Sequence, residues 1–285
     1  MLGSAVFHTF SQRQADFNIW GTLRNRTDME YFPDSMHESL ISDVDVLNHD
    51  SLCGVFDLVR PNIVINCIGL IKQLSNANDP LLALPINAML PHRLAKLCSL
   101  TGARLVQIST DCVYSGRKGF YVESDMSDAE DLYGKSKFIG EITDLSNVVT
   151  LRTSIIGHEI YSQKALLEWF LSQQGSVRGY VKAIFSGLPT FELARVIRDY
   201  VVPKQELAGL YHVAASPINK HALLLLISEI YKKNINIVID EEVVIDRSLN
   251  ANLFKQATGY ISPSWPQLIA LMQETKKYYG ANEYV

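Results

Sequence analysis

The chain has 285 residues, a formal net charge of −4, 47% hydrophobic and 20% charged residues, a composition that suits a globular protein and excludes a disordered or fibrous one. That charge gives no electrostatic reason to expect nucleic-acid binding, and the longest apolar run, Ala222 to Ile227, is far below the ~20 residues that span a bilayer. No basic, cleavable leader opens the chain, so neither export nor membrane insertion is expected; Cys53, Cys67, Cys98 and Cys112 lack C-x-x-C spacing and read as reduced thiols of a cytoplasmic protein.

In chain order, "MLGSAVFHTF" reads as the end of a turn at Gly3 followed by a helix from Ser4 to Phe10. "DFNIWGTLR" reads as a strand that ends at Thr22, Leu23 and Arg24, and Asp45-Val46 lie just before the helical spacing of "HDSLCGVFDLVR". "PNIVINCIG" is a continuous apolar strand, and "ALPINAMLPHRLAKLCSL" is helical, leading through Gly102 into the strand of "ARLVQISTDCVYSG". "DLYGKSKFIGEITDL" is helical and "NVVTLRTSIIG" is again a strand. Near-continuous hydrophobic strands separated by helices predict an α/β fold, a doubly wound parallel sheet covered on both faces. After Gly157 the alternation is less regular, with a helix around Leu166, Leu167, Trp169 and Phe170, "GLYHVAA", a helix from His221 and "NINIVID".

In such a sheet the first strand runs into a glycine-rich turn, and the backbone N–H groups of the next helix hold a dinucleotide's pyrophosphate. "MLGSAV" fits the end of that turn; Arg24 falls where the ribose edge should lie, and Asp45-Val46 suit an adenine contact. The first strand and earlier glycines are missing from this pattern. The expectation is that the natural chain starts upstream, that Met1 is an internal methionine, and that exposed apolar sheet edges and an incomplete pyrophosphate site result. Residues 1–157 then make a dinucleotide-binding domain, and 158–285 mainly a substrate-binding lobe interleaved with the last parts of the sheet.

Three Tyr-x-x-x-Lys stretches occur, from Tyr114, Tyr133 and Tyr200. An i, i+4 pair shares one face only if the helix continues through it. Gly116 and Gly119 make the first a loop and Pro203 interrupts the third. Tyr133 and Lys137 sit in a run with helical apolar spacing, where a nearby ammonium is expected to lower the pKa of the phenol, ordinarily ~10; otherwise they are a half-exposed tyrosine and a solvated lysine. Ser109, Thr110 and Asp111 lie at a strand end, where parallel sheets present ligands. Pro91 cannot donate to the Asn87 carbonyl four residues earlier, which leaves either a plain kink or a free acceptor for a water in a proton relay. His158 and His212 read as packing or surface residues rather than metal ligands.

Taken together, "MLGSAV", "DVLNHD", "NCIG", "STDCVYSG", "LYGKSK", "LRTSIIG", "FSGLPT", "GLYHVAA" and "RSLNANLFKQATGYISPSWPQ" resemble an extended short-chain dehydrogenase/reductase, in particular the dTDP-4-dehydrorhamnose reductase group of sugar-nucleotide reductases. The resemblance implies Tyr133 as general acid, Lys137 as its partner and ribose ligand, and Thr110 as the group that orients the keto oxygen. It implies cofactor contacts from Leu2, Gly3, Asp45, Val46, Cys67, Ile68, Gly69 and Asn87, with Arg152, Thr153 and Ser154 near the nicotinamide. Asp111 and Arg247 fall on the substrate side, Arg247 as a phosphate ligand. Cys112 stands where many relatives have tyrosine, and "LIKQ" after "NCIG" also departs from them.

The implied activity is NAD(P)H-dependent reduction of a nucleotide-linked 4-keto-6-deoxysugar in cell-surface polysaccharide biosynthesis, dTDP-rhamnose or a related sugar. Arg24, with Arg26 close behind, favours NADP(H) over NAD(H). The expected partner is the nucleotide sugar, with a homodimer left open. A sugar-nucleotide epimerase, a 2-acetamido-sugar reductase and a non-catalytic NADP-binding regulatory subunit remain alternatives.

Overall fold

The structure, a computed structural model, describes residues 1–71, 78–160 and 162–279. The helix α1 (Leu2–Ser11) leads to the short parallel strands β1 (Gly21–Thr22) and β2 (Leu40–Ile41). Helix α2 (His49–Val59) follows, capped by the Asn48 side chain, which accepts from the backbone N–H of Asp50 and Ser51; an Asn cap satisfies donors the helix start would otherwise leave bare. After β3 (Ile63–Asn66), one continuous helical rod comprises α3 (Pro80–Ala83), a π turn (Leu84–Met89) and α4 (Leu90–Thr101). It ends at Gly102, whose φ of +70° is the left-handed conformation glycine adopts without steric cost. Then come β4 (Arg104–Thr110), α5 (Leu132–Ile139), β5 (Val148–Thr153) and β6 (Ile155–Ile156).

The rest of the chain carries α6 (Leu166–Ser172), β7 (Ser176–Tyr180), β8 (Ala183–Phe185), β9 (Leu188–Pro189), α7 (Thr190–Val196) and β10 (Gly209–His212). It finishes with β11 (Ile218–Asn219), α8 (Lys220–Ile230), β12 (Asn236–Asp240), β13 (Ile245–Asp246), α9 (Asn252–Thr258) and α10 (Trp265–Glu274).

The main sheet is parallel, in the order β10-β5-β4-β3, so a strand from the second half of the chain joins those of the first. Its two faces separate by the period of two that a strand imposes. Val106, Val149 and Leu151 pack with α1, α7 and α8, while Leu105 and Val148 pack with α2 and α4. Helices therefore cover both faces, as continuous apolar strands demand. Among the described residues β1 pairs with β2 alone and β3 with β4 alone, so β1–β2 stand apart from the four-stranded sheet. Ile63, Val64 and Ile65 are half-buried where all of β5 is buried.

Two sequence expectations are corrected in extent. "DFNIWGTLR" contributes only Gly21–Thr22 as strand, because its ladder partner β2 is itself two residues long. "DLYGKSKFIGEITDL" is helical only through Ile139. Beyond Gly140 the backbone of Ile142 exchanges hydrogen bonds with the Thr150 hydroxyl of β5, and a chain held to a strand cannot continue the helix.

Candidate functional site

The C-terminal ends of β3 and β4 and the helix α5 build the site. Asp131 caps α5 by accepting from the Gly134 N–H at 2.7 Å. Gly134 lets the helix approach the turn after β4: a Cβ there would collide with the Cys112 carbonyl and stand 2.7 Å from the Ala129 Cβ. Tyr133 is thereby brought beside Thr110, whose side chain acts to lower the pKa of the phenol. Thr110 also donates to Asp111 (3.1 Å) and accepts from the Cys112 N–H (3.1 Å), which fixes its rotamer.

Lys137, one turn on, is buried, and its Nζ donates to the Ile108 carbonyl of β4 at 2.7 Å. Burial lowers its pKa to about 8, opposed first by the negative charge of Glu141 and then by Cys67. The expected lowering of the Tyr133 pKa is corrected. Burial raises it, the Cys112 thiol adds to the rise, and the Thr110 side chain acts the other way. Desolvation disfavours a phenolate more than the surrounding dipoles favour it. Tyr133 therefore keeps its proton through the neutral range.

The remaining implied residues fall in three groups. Leu2 and Gly3 lie in the first turn of α1, which starts two residues earlier than expected; Gly3 is exposed, with its Cβ position 3.6 Å from the Cys67 Cβ. Ile68 and Gly69 are exposed beyond the end of β3, in a turn where the Ile68 N–H donates to the Asn66 side chain. Arg24 and Asp45 are solvent-exposed past the ends of β1 and β2, and Val46 packs beneath. Gly3, Ile68, Gly69, Arg24 and Lys137 thus offer helix N–H groups, open backbone and cations at strand ends, a donor set that suits a dinucleotide's phosphates and ribose. Lys72 and Gln73 of "LIKQ" lie outside the described residues.

The Asn87 amide oxygen stands 3.3 Å from the Cβ position of Gly69, beside the Lys137 Nζ, whereas Arg152 points elsewhere than expected. The Asn87 amide accepts from the Leu70 N–H (2.9 Å) and donates to the Leu70 carbonyl and the Ser136 hydroxyl. Its carbonyl faces Gly140, where any Cβ would collide with it. Asn87 therefore braces α5 rather than opening an acceptor for a relay. Arg152 turns away from the cleft into a buried pair with Glu141. Ser154 hydrogen-bonds Asp111.

On the substrate side Arg247 donates to the Tyr114 carbonyl at 2.7 Å and contacts the Cys112 sulfur. Its charge pulls the Asp111 carboxyl down against the upward push of burial. Lys220, at the start of α8, is a residue the sequence did not single out. Burial lowers its pKa while Asp111 raises it, so two cations flank one buried carboxyl beside Thr110. His212 and His158 are interior: burial and Arg152 lower His212 to about 4, and His158 bonds Glu168 and Tyr231. Among the described residues no helix is long and apolar enough to cross a membrane.

Comparison with known proteins gives a family and a fold. The family model described as RmlD substrate binding domain matches residues 1–242. Methionine adenosyltransferase 2 subunit beta of Danio rerio is 26% identical over 226 residues, 75% of this chain and 66% of that protein. The dTDP-4-dehydrorhamnose reductase of Aggregatibacter actinomycetemcomitans is 26% identical over 186 residues, 62% of this chain and 63% of that enzyme. The chain thus spans less than two thirds of the length of these curated relatives. A crystal structure of dTDP-4-dehydrorhamnose reductase from Bacillus anthracis in complex with NADP superposes with a TM-score of 0.72 at 19% identity, over 90% of this chain and 99% of that one.

Proposed function

We propose, from the premise that this chain belongs to the RmlD substrate binding domain family, that it reduces the ketone of a nucleotide-linked 4-keto-6-deoxysugar with a nicotinamide cofactor. The observation that carries this reading is the meeting of Thr110, Tyr133 and Lys137 at the end of one strand, with Arg247 and Asp111 beside them. A bound nicotinamide nucleotide supplies the hydride. As negative charge grows on the substrate oxygen, Tyr133 delivers the proton it retains, and Thr110 holds that oxygen by a directed hydroxyl. Lys137 holds the ribose side of the cofactor, and Arg247 takes a substrate phosphate, which favours a bidentate guanidinium partner. The product belongs to cell-surface polysaccharide biosynthesis, made in the cytoplasm.

Arg24 supports NADPH over NADH. Replacing it with alanine is expected to weaken NADPH about tenfold and leave NADH unchanged; equal loss for both cofactors, measured by fluorescence titration, removes the assignment. The function itself is tested by incubating the protein with NADPH and a panel of keto-sugar nucleotides. Net reduction consumes cofactor in proportion to product seen by NMR, whereas epimerisation recycles it.

The similarity to a methionine adenosyltransferase β subunit, over a larger share of this chain than the reductase match, favours a second reading: a nucleotide-binding regulatory subunit. It predicts NADP binding without turnover, together with altered kinetics of an added methionine adenosyltransferase catalytic subunit.

A further inference from the structure

Beneath the site lies a buried ion pair that the proposed chemistry does not use. The Glu141 carboxylate accepts from Arg152 Nε at 2.7 Å and Nη2 at 2.6 Å, and from the Ser109 hydroxyl at 2.6 Å. Both side chains are 3% exposed. Arg152 also donates from Nη1 to the Tyr114 hydroxyl at 2.5 Å, which in turn donates to the Val122 carbonyl. Removing two charges from water is costly, and a hydrophobic pair of similar volume often serves stability as well. Stability alone therefore gives a weak account of the pair, and its position suggests a better one.

Glu141 stands four residues after Lys137, just past the end of α5, on the side of the sheet defined by Ser109, Thr150 and Arg152. Lys137 reaches Ile108, and Glu141 reaches its neighbour Ser109. We propose that Glu141 is a positioning residue: clamped by Arg152 of β5 and Ser109 of β4, its carboxylate locks the end of α5 to the sheet and keeps Lys137 at the Ile108 carbonyl as an ammonium. The role deepens the functional reading above and rests on Lys137 acting with Tyr133.

The charged and titratable groups facing Lys137 can be named from each side. Cys67 approaches from the end of β3, Tyr133 and Glu141 belong to the α5 segment, and β4 presents the Ile108 carbonyl; Arg152 of β5 lies behind Glu141. Of these, Glu141 is the leading influence that favours the charged lysine, against burial. A neutral residue at 141 removes that influence and releases the clamp together.

The test uses the chain alone, without substrate or cofactor, so that its failure is distinct from failure of the functional reading. Lysine is labelled with carbon-13 at Cε and titrated by NMR, with the Lys137 signal assigned by its loss in Lys137→Met. Glu141→Gln is expected to move the Lys137 midpoint from near 8 to lower pH by about one unit. Because removal of one partner alone strands a buried guanidinium, Glu141→Gln/Arg152→Met is titrated beside it. The double variant leaves no buried charge uncompensated and is expected to show the same downward direction. A lower midpoint in every variant that folds supports the proposal. An unchanged or raised midpoint in a variant with a native near-ultraviolet spectrum overturns it, since a purely structural pair would change the melting temperature and leave the lysine where it was.

Discussion

Tyr133→Phe is expected to lower turnover by a factor on the order of hundreds or more while leaving the affinity for the nicotinamide nucleotide within about twofold. The substitution keeps the ring and removes only the hydroxyl placed beside Thr110. A single neutral hydrogen bond contributes roughly 1 kcal/mol to stability, so the variant should fold. What it lacks is a proton to deliver: the buried phenol holds its proton firmly, and among the described residues no other phenol is placed beside Thr110. Tyr114 and Tyr121, the nearest in sequence, stack on each other at 4.0 Å between ring centroids, on the Arg152 side of the sheet. The measurement is kcat with a ketone substrate alongside the dissociation constant of the cofactor. Unchanged kcat rejects Tyr133 as the acid; equal losses in kcat and cofactor binding would instead make it a structural residue.

The second large effect concerns Gly134. Adding one methyl group to the helix surface would drive a Cβ into the Cys112 carbonyl, a backbone atom that cannot rotate away. Gly134→Ala is expected to cost about 1–3 kcal/mol of stability through overpacking, although alanine is the better helix former by about 1 kcal/mol. The collision outweighs the propensity. Relief requires α5 to withdraw from the turn at Asp111–Val113, which takes Tyr133 away from Thr110, so kcat should fall even in the fraction that stays folded. Denaturant midpoint and kcat measured together check this. A stabilised variant with full turnover would show that the helix does not need this approach.

Much of this was legible in the chain. Arg104–Thr110 and Val148–Thr153 are buried on both faces, and with the half-buried Ile63–Asn66 they announce themselves as strands through short, mainly apolar runs rich in β-branched residues. Tyr133 and Lys137 could be separated from two decoys because glycine and proline interrupt helices for local reasons. Tyr114 indeed lies outside a helix, followed by Gly116 and Gly119 at positive φ. The failures are non-local. Within "FIGEITDL" Gly140 is a local stop signal, but the hold that keeps the chain from continuing, Thr150 bonded to Ile142 from the next strand, lies outside the stretch. Glu141 was not singled out, because its partners stand 11 positions later and 32 earlier. The direction of the Tyr133 pKa was missed for a related reason: the lysine four residues on is visible in sequence, whereas the burial that outweighs it is not.

One feature of β4 bears on how such a chain can vary. Ile108, Ser109 and Thr110 are consecutive, and they engage Lys137, Glu141 and Tyr133 respectively. Three neighbouring rungs therefore meet two side chains of α5 and one just past its end. The stretch joining them is itself tied to these matches at both ends, since Asp111 and Cys112 hold Thr110 and Asp131 caps α5. A one-residue insertion within the rungs would mispair all three at once, so tolerance to indels should drop abruptly, rather than gradually, at the last turn of that strand.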